Sequence, residues 1–536
     1  MTVRQISGDY RTVVEVLRAA AEQYGDAEAY VEPATPTSPR RRLTFIEWDQ
    51  AADGAAGLLA THGVERGSVV CLYLPSSIDY MIGYAAAVRL GAVTSGINSR
   101  LGPQEVSSIL DRTRPVVTLV DSDLTLPHGP TGHVIDRQSL VEATGGVPPR
   151  RFPALHPGDP VAVVWTSGTT GLPKGAVFDH DNLRAVAAGT DVLSQPGDRR
   201  LSPLPFAHVG SMTRLWDEAA HAITTVITPS PWRAAEAAMV MAAERITVAQ
   251  GVPTQWALVL AEPGLDDADL SDLRIVGTGA SRVPPELVEA MSRRFGVPIV
   301  VRYTTTEASL GTGTRPGDPP SVVATTVGRP VPGVELEIAD DAGRTSGIGE
   351  VGRVRLRSGA VMRGYWAGPP SGPGRAGLDV DRAATGSVLD DAGWLTTGDF
   401  GFVDTDGNLH LAGRANELYI RSGYNVYPAE VEDVLGRHPG VDTVCVLGLP
   451  DPVLGEVGAA VVVLTPGAPS DPDRLLSELR SLVTSTLADY KAPDRLVITD
   501  TLPLTSMMKV DKRALAVRLA GAETSVPPAA SGPEAR

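Results

Sequence analysis

Cysteine is nearly missing from this chain: Cys71 and Cys445 are the only two in 536 residues. Two thiols so far apart give no disulfide framework and predict a reducing compartment, the cytoplasm. No uninterrupted apolar run approaches the ~18 residues of a membrane-spanning helix, and Met1-Thr-Val-Arg-Gln-Ile6 lacks the apolar core of a signal peptide. Positive charge is in deficit, with a net charge of −16. Nucleic acid and anionic membrane surfaces are thereby excluded as general partners.

The rest of the composition is that of a soluble globular protein, with 43% hydrophobic and 21% charged residues. The length allows several core-bearing units, at roughly 150 residues each. Short apolar runs alternate with helical patterns. Residues 10–30 carry apolar positions at helical spacing. Val69–Leu74 and Val116–Val120 read as strands, with a helix over Ile82–Leu90 ended by Gly91 between them. Such alternation predicts an α/β fold of parallel, doubly wound sheets. The basic run Arg40-Arg41-Arg42 is expected to be a solvated hairpin entry without function.

The most informative stretch is Trp165-Thr-Ser-Gly-Thr-Thr-Gly-Leu-Pro-Lys-Gly175, directly after the strand-like run Val161–Val164. Three glycines, four hydroxyl side chains and one lysine fall within ten residues. Glycines let backbone N–H groups approach phosphate oxygens, hydroxyls donate further bonds, and Lys174 adds a cation. It is not a Walker A loop, because Lys174 precedes a Gly and no Ser or Thr follows it. The plain alternative, a flexible Gly/Thr turn, would suit a shorter match.

This stretch resembles the phosphate loop of the acyl-adenylate-forming superfamily, which includes acyl-CoA synthetases, peptide-synthetase adenylation domains and luciferases. The resemblance implies a large N-terminal domain over residues 1–412, built of doubly wound sheets with a β-barrel-like subdomain. A hinge at 413–416 and a small, mobile α+β lid domain over 417–520 would follow, then a disordered tail over 521–536. Further motifs appear in the family's order. Thr166, Ser167, Gly168, Thr169, Thr170, Gly171 and Lys174 would bind the phosphates of ATP. Gly279, Ala280 and Ser281 end a strand-and-turn pattern and would lie against adenine or the acyl group. Tyr303-Thr-Thr-Thr-Glu307 resembles Tyr-Gly-x-Thr-Glu, with Tyr303 facing adenine, Thr306 on the α-phosphate and Glu307 as the Mg²⁺ ligand. Thr304 stands where relatives have Gly and would narrow the substrate space. Asn98-Ser-Arg-Leu101 is expected to be structural only.

His208, in Leu204-Pro-Phe-Ala-His208, would stand on the wall between carboxylate and phosphates, although a packed core histidine is the ordinary reading of such a site. No Asp lies between Leu204 and Trp216. An amino-acid substrate would leave its ammonium unpaired at a cost of several kcal/mol, so that substrate class is disfavoured. Trp394-Leu-Thr-Thr-Gly-Asp399 matches a Thr-Gly-Asp turn whose Asp399 would accept from the ribose hydroxyls. Arg414 would contact ribose or phosphate, Asn416 would be the hinge, and Arg421, Ser422 and Gly423 would line the CoA or acceptor channel. Lys509 aligns with the lysine that bridges carboxylate and α-phosphate, with Met508 in place of the usual Gly. Residues 367–392, rich in Pro and Gly, read as a surface loop or insertion.

The resemblance implies a carboxylate–CoA ligase for a fatty or aryl acid, using ATP, Mg²⁺ and CoA through an acyl-AMP intermediate. A related adenylating enzyme with a carrier-protein thiol or another nucleophile as acceptor, including nitrite-dependent chemistry on an aryl amine, is the alternative. A non-catalytic nucleotide-binding protein is a third reading, opposed by the joint presence of Lys174, Glu307, Asp399, Arg414 and Lys509. The acid and the oligomeric state, a homodimer among the options, are not encoded legibly.

Overall fold

A computed structural model describes residues 3–523 apart from 167–172, 230–231, 281–282, 341, 370–378, 415–416, 422–423, 452, 469–470 and 506–507. The chain divides into two compact units: Met1–Thr397 with Phe402–His410, and Gly398–Gly401 with Leu411–Arg536.

In the first unit the short apolar runs become the inner strands of two large sheets. One sheet has, at its centre, the parallel strands Thr224–Ile227, Arg199–Ser202, Val248–Gly251, Ile275–Gly279 and Ile299–Tyr303. The other has Pro160–Trp165, Val93–Gly96, Val69–Tyr73, Val117–Val120 and His133–Asp136 in parallel. Gly175–Asp179 and then Gly364–Tyr365 are added antiparallel at its edge. Ile275–Gly279 and Ile299–Tyr303 are buried at every residue. Strands covered on both faces need continuous apolar runs, which is why these read so plainly. The helix Ile78–Arg89 is buried along its whole length. Its run of small and apolar residues suits a packed helix, and its two charges are neutralised. Arg89 meets Asp49 at 2.5 Å, and Asp79 meets Arg41 at 3.1 Å.

A smaller sheet has the order Glu335–Ala339, Gly352–Arg357, Leu395–Val403, Leu409–Arg414. The second unit is built on the antiparallel pair Val441–Asp451 and Gly455–Leu464. Arg495–Ile498 pairs in parallel with Gly455–Leu464, the hairpin Tyr419–Arg421/Tyr424–Val426 pairs with the start of that same strand at Gly455, and Pro428–Leu435 and Pro472–Thr486 pack against the sheet. Among the described residues no helix is long and apolar enough to cross a membrane.

Several local expectations are corrected. The Thr-Gly-Asp segment is no turn: it lies inside the strand Leu395–Val403, because alternate residues there are buried and a turn would break that pattern. Residues 367–392 are not wholly loop, since Arg382–Gly386 form a helix capped by the Asp381 carboxylate, which accepts from the Ala384 N–H. The basic run is not simply solvated. Arg40 pairs with the buried Glu244 at 2.8 Å, and Arg41 with the buried Asp79. The last helix, Lys512–Glu523, passes through residues 521–523, which were expected to be disordered. The rest of the tail lies outside the described residues, as does the expected hinge residue Asn416.

Candidate active site

The phosphate-loop sequence connects the antiparallel strands Pro160–Trp165 and Gly175–Asp179, with Trp165 opposite Gly175. Its base is closed by the Thr166 N–H donating to the Lys174 carbonyl at 2.9 Å and the Lys174 N–H donating to the Thr166 hydroxyl at 3.3 Å. Ser167, Gly168, Thr169, Thr170 and Gly171 lie outside the described residues. The base is braced by Arg112, a residue that sequence reasoning missed. Its guanidinium lies 5.2 Å over the Trp165 ring and donates to the Pro173 carbonyl. The Trp366 indole N–H in turn donates to the Arg112 carbonyl at 3.1 Å. Arg112 carries no local signal, because it stands in an ordinary amphipathic helix, Pro103–Thr113.

Tyr303 ends its strand beside Gly279, since Gly279 pairs with Arg302. Both strands therefore present their C-terminal ends at one sheet edge, the usual ligand edge of open α/β sheets. Ala280 follows in the left-handed region at φ 64°, a strain of about 1–3 kcal/mol that clusters at functional sites. Ser281 lies outside the described residues. Thr304 and Thr306 are half-buried. The Glu307 backbone carbonyl accepts from the Met362 N–H at 2.7 Å. One Glu307 carboxylate oxygen accepts from the Tyr365 hydroxyl at 2.8 Å, and Lys174 Nζ stands 5.1 Å from the centre of the same tyrosine ring.

His208 is half-buried at the start of the short helix Val209–Met212. The Asn98 side-chain amide lies 3.1 Å from His208 Nε2. Asn98 is thus a partner of the candidate site and not a structural landmark alone. The side chain that could have mimicked an amino-acid anchor, Asp217, is committed elsewhere. It is fully buried and pairs with Arg200 and His221 at 3.0 Å each. Although burial opposes its ionisation, Arg200, His221 and Arg214 hold its carboxyl below the usual range.

Contacts join these pieces within the first unit. The Trp165 indole donates to the Ser95 hydroxyl at 2.9 Å, on the strand that leads to Asn98. Asn98 meets His208, and after His208 the Thr213 hydroxyl meets that of Ser309 at 3.1 Å. Glu307, two residues before Ser309, returns through Tyr365 to Lys174. Five stretches separated in sequence are therefore linked, and they come from both large sheets.

In the second unit Arg414 Nε donates to the buried Asp399 carboxylate at 3.0 Å. Lys509 lies in the field of both. Burial first, and then Arg414, pull its ammonium down to about 8, while Asp399 opposes them. The Lys509 backbone is fixed by Thr505, whose N–H donates to the Lys509 carbonyl at 2.7 Å and whose hydroxyl accepts from the Lys509 N–H. Met508 has φ 59°, the left-handed conformation that glycine adopts without strain. Lys512 is committed to Glu417 and Glu432 at 2.8 and 3.1 Å. Arg421 is also engaged: Asp494 accepts from it twice, at 2.9 and 2.8 Å. Ser422 and Gly423 lie outside the described residues.

Residues 17–366 match the AMP-binding enzyme family, and residues 430–509 match the AMP-binding enzyme C-terminal domain. A methyl-dioxo-octahydroindenyl propanoyl:CoA ligase of Mycobacterium tuberculosis is 34% identical, over 95% of this chain and 99% of its own length. The indoleacetate–CoA ligase of Aromatoleum aromaticum is 33% identical, over 91% of this chain and 96% of its own. Among solved structures, the anthranilate CoA ligase AuaEII in complex with anthranoyl-AMP superposes with a TM-score of 0.83 at 27% identity, covering 96% of this chain and 99% of that one. The chain belongs to the AMP-binding enzyme family, within the acyl-adenylate-forming superfamily that its motifs resemble.

Proposed function

We propose that the chain is an ATP-dependent carboxylate–CoA ligase that converts a fatty or aryl acid to its acyl-AMP and then to a thioester, releasing pyrophosphate and AMP. The observation that carries this reading is the chain of contacts that links the segments of Lys174, Glu307 and His208 across the two large sheets. Relatives named as CoA ligases over nearly their whole length support it.

The carboxylate is ionised near neutral pH and attacks the α-phosphate without a general base. What remains is positioning and charge neutralisation. Lys174 and the loop donors hold the leaving phosphates, His208 walls the carboxylate, and Lys509 stabilises the pentavalent centre. One such charge contact at 4 Å and an effective dielectric of 20 contributes about 4 kcal/mol, or roughly 10²–10³ in rate. The second oxygen of Glu307 accepts no hydrogen bond among the described residues, and an anionic oxygen suits a hard divalent ion. No group of three or more His, Cys, Asp or Glu side chains forms a metal cage among the described residues. Mg²⁺ would therefore be held by Glu307 together with phosphate oxygens, where it spreads their negative charge. Thr306 would hold the α-phosphate, Tyr303 would stack on adenine, and Asp399 with Arg414 would hold the ribose. Residues 413–416 would act as the hinge that exchanges Lys509 for the 421–423 segment between the two halves. Two buried free cysteines fit a cytoplasmic setting.

The test is pyrophosphate release on mixing with ATP and a panel of fatty and aryl acids, followed by CoA addition and mass detection of the thioester. Release with at least one acid, and a thioester after CoA, is expected; no release with any acid would sink the proposal. Release without a thioester would favour the second reading, in which a carrier-protein thiol or another nucleophile is the acceptor. That reading is favoured by Asp494, which neutralises Arg421, one of the residues expected to line the acceptor channel, and so leaves it less charge to offer the phosphates of CoA.

A further inference from the structure

Tyr365 stands in the segment Gly364-Tyr-Trp366, which no part of the phosphate or acceptor chemistry requires by sequence. Its backbone is fixed from three sides. Its N–H donates to the Thr385 hydroxyl at 2.9 Å, its carbonyl accepts from the Asp381 N–H at 2.8 Å, and it pairs with Ala176 across the sheet edge. Its side chain is buried, with 4% exposure. Two charged groups meet it there. The hydroxyl donates to Glu307 at 2.8 Å, and the ring faces Lys174 Nζ at 5.1 Å from its centre.

Lys174 and Glu307 are opposite charges converging on one site, and such groups within reach of each other form a direct ion pair. A direct pair would cancel the cation intended for phosphate against the anion intended for the metal. The aromatic ring attracts the ammonium through its face and the carboxylate through its hydroxyl, so both are held in place while staying apart. A serine or an aliphatic residue could do neither job from this backbone position.

We infer that Tyr365 is a positioning residue for adenylate formation, a rigid spacer that presents Lys174 and Glu307 separately instead of letting them pair. The inference rests on the proposed roles of these two side chains, so its test must separate the two failures. Tyr365→Phe keeps the ring and removes the hydroxyl; Tyr365→Leu removes both attractions. ATP binding to the full chain is measured by calorimetry across a Mg²⁺ titration, alongside pyrophosphate release with an acid that the wild type accepts.

Tyr365→Phe is expected to raise the Mg²⁺ concentration needed for half-maximal ATP binding by about tenfold, with ATP affinity at saturating Mg²⁺ almost unchanged. Tyr365→Leu is expected to weaken ATP binding at saturating Mg²⁺ as well, by about tenfold, because Lys174 is released toward Glu307. Glu307→Gln is the reference. If Glu307→Gln shifts the Mg²⁺ dependence and Tyr365→Phe does not, the spacer inference is overturned. If Glu307→Gln itself leaves that dependence unchanged, the proposed metal role of Glu307 fails first. Equal losses in the Phe and Leu variants at every Mg²⁺ concentration would also overturn the inference, since a merely structural tyrosine gives no such split.

Discussion

The Asn98 amide lies 3.1 Å from His208 Nε2, across 110 residues of sequence. The Asn98 side-chain oxygen also accepts from the Arg100 N–H at 3.0 Å. With its oxygen committed to the backbone, the Asn98 amide nitrogen is turned toward the imidazole. Asn98→Ala should release the His208 ring and raise the KM for the acid by roughly five- to tenfold, leaving the KM for ATP nearly unchanged. Pyrophosphate release with each substrate varied in turn checks this. A shift in the ATP KM alone would move His208 to the nucleotide side of the site.

Lys509 should give the adenylation half its alkaline limb. Burial lowers its folded value to about 8, so the ammonium is charged below that pH and neutral above it. Only the charged form neutralises a phosphoryl centre. The kcat/KM for pyrophosphate release, which reports the free enzyme, should therefore fall as pH rises past about 8. Lys509→Arg should remove that limb, and Lys509→Ala should abolish adenylation while largely sparing thioester formation from supplied acyl-adenylate. An unchanged limb in the arginine variant would show that another group titrates there.

Lys512, three residues on, should behave differently. It pairs with Glu417 and Glu432, and Glu432 also accepts from the Val446 N–H at 2.8 Å. Lys512→Met leaves two partly buried carboxylates without their cation, a loss of about 2 kcal/mol. Native-state hydrogen exchange at Val446 should accelerate by roughly 30-fold. Unchanged exchange would mean that the carboxylates find other partners.

Gly279→Ala should damage the sheet itself. A Cβ at Gly279, where φ is 158°, would stand 2.2 Å from the Arg302 carbonyl oxygen of the neighbouring strand. The obstacle is backbone, so relief requires the two strands to part. A fall in stability of about 2–3 kcal/mol is expected, with a lower first unfolding transition in calorimetry. A variant that unfolds like the wild type would show that this edge can spread.

What could be read along the chain follows from how local the physics is. The Trp165–Gly175 stretch was legible because glycine freedom, hydroxyls and a lysine must sit together in sequence to serve a phosphate. The buried strands were legible because coverage on both faces demands continuous apolar runs. Trp394–Asp399 was misread as a turn because Thr-Gly-Asp has turn composition, whereas the pairing that makes it a strand comes from a distant segment. Asn98, Arg112 and Tyr365 were not seen as site residues. Their partners lie 110, 61 and 58 residues away, and nothing in their own neighbourhoods records the meeting.

The sequence by itself therefore determined the family, the two-sheet α/β core and the chemical inventory for a nucleotide, since each depends on residue type and short spacing. Only the tertiary structure decided which of those groups still have a charge to offer. Asp217, Arg421 and Lys512 are committed to partners, while Lys174 and Glu307 are kept apart by one ring. Whether a charge is neutralised or presented depends on separations of a few ångströms, and those are set by packing between segments that never meet along the chain.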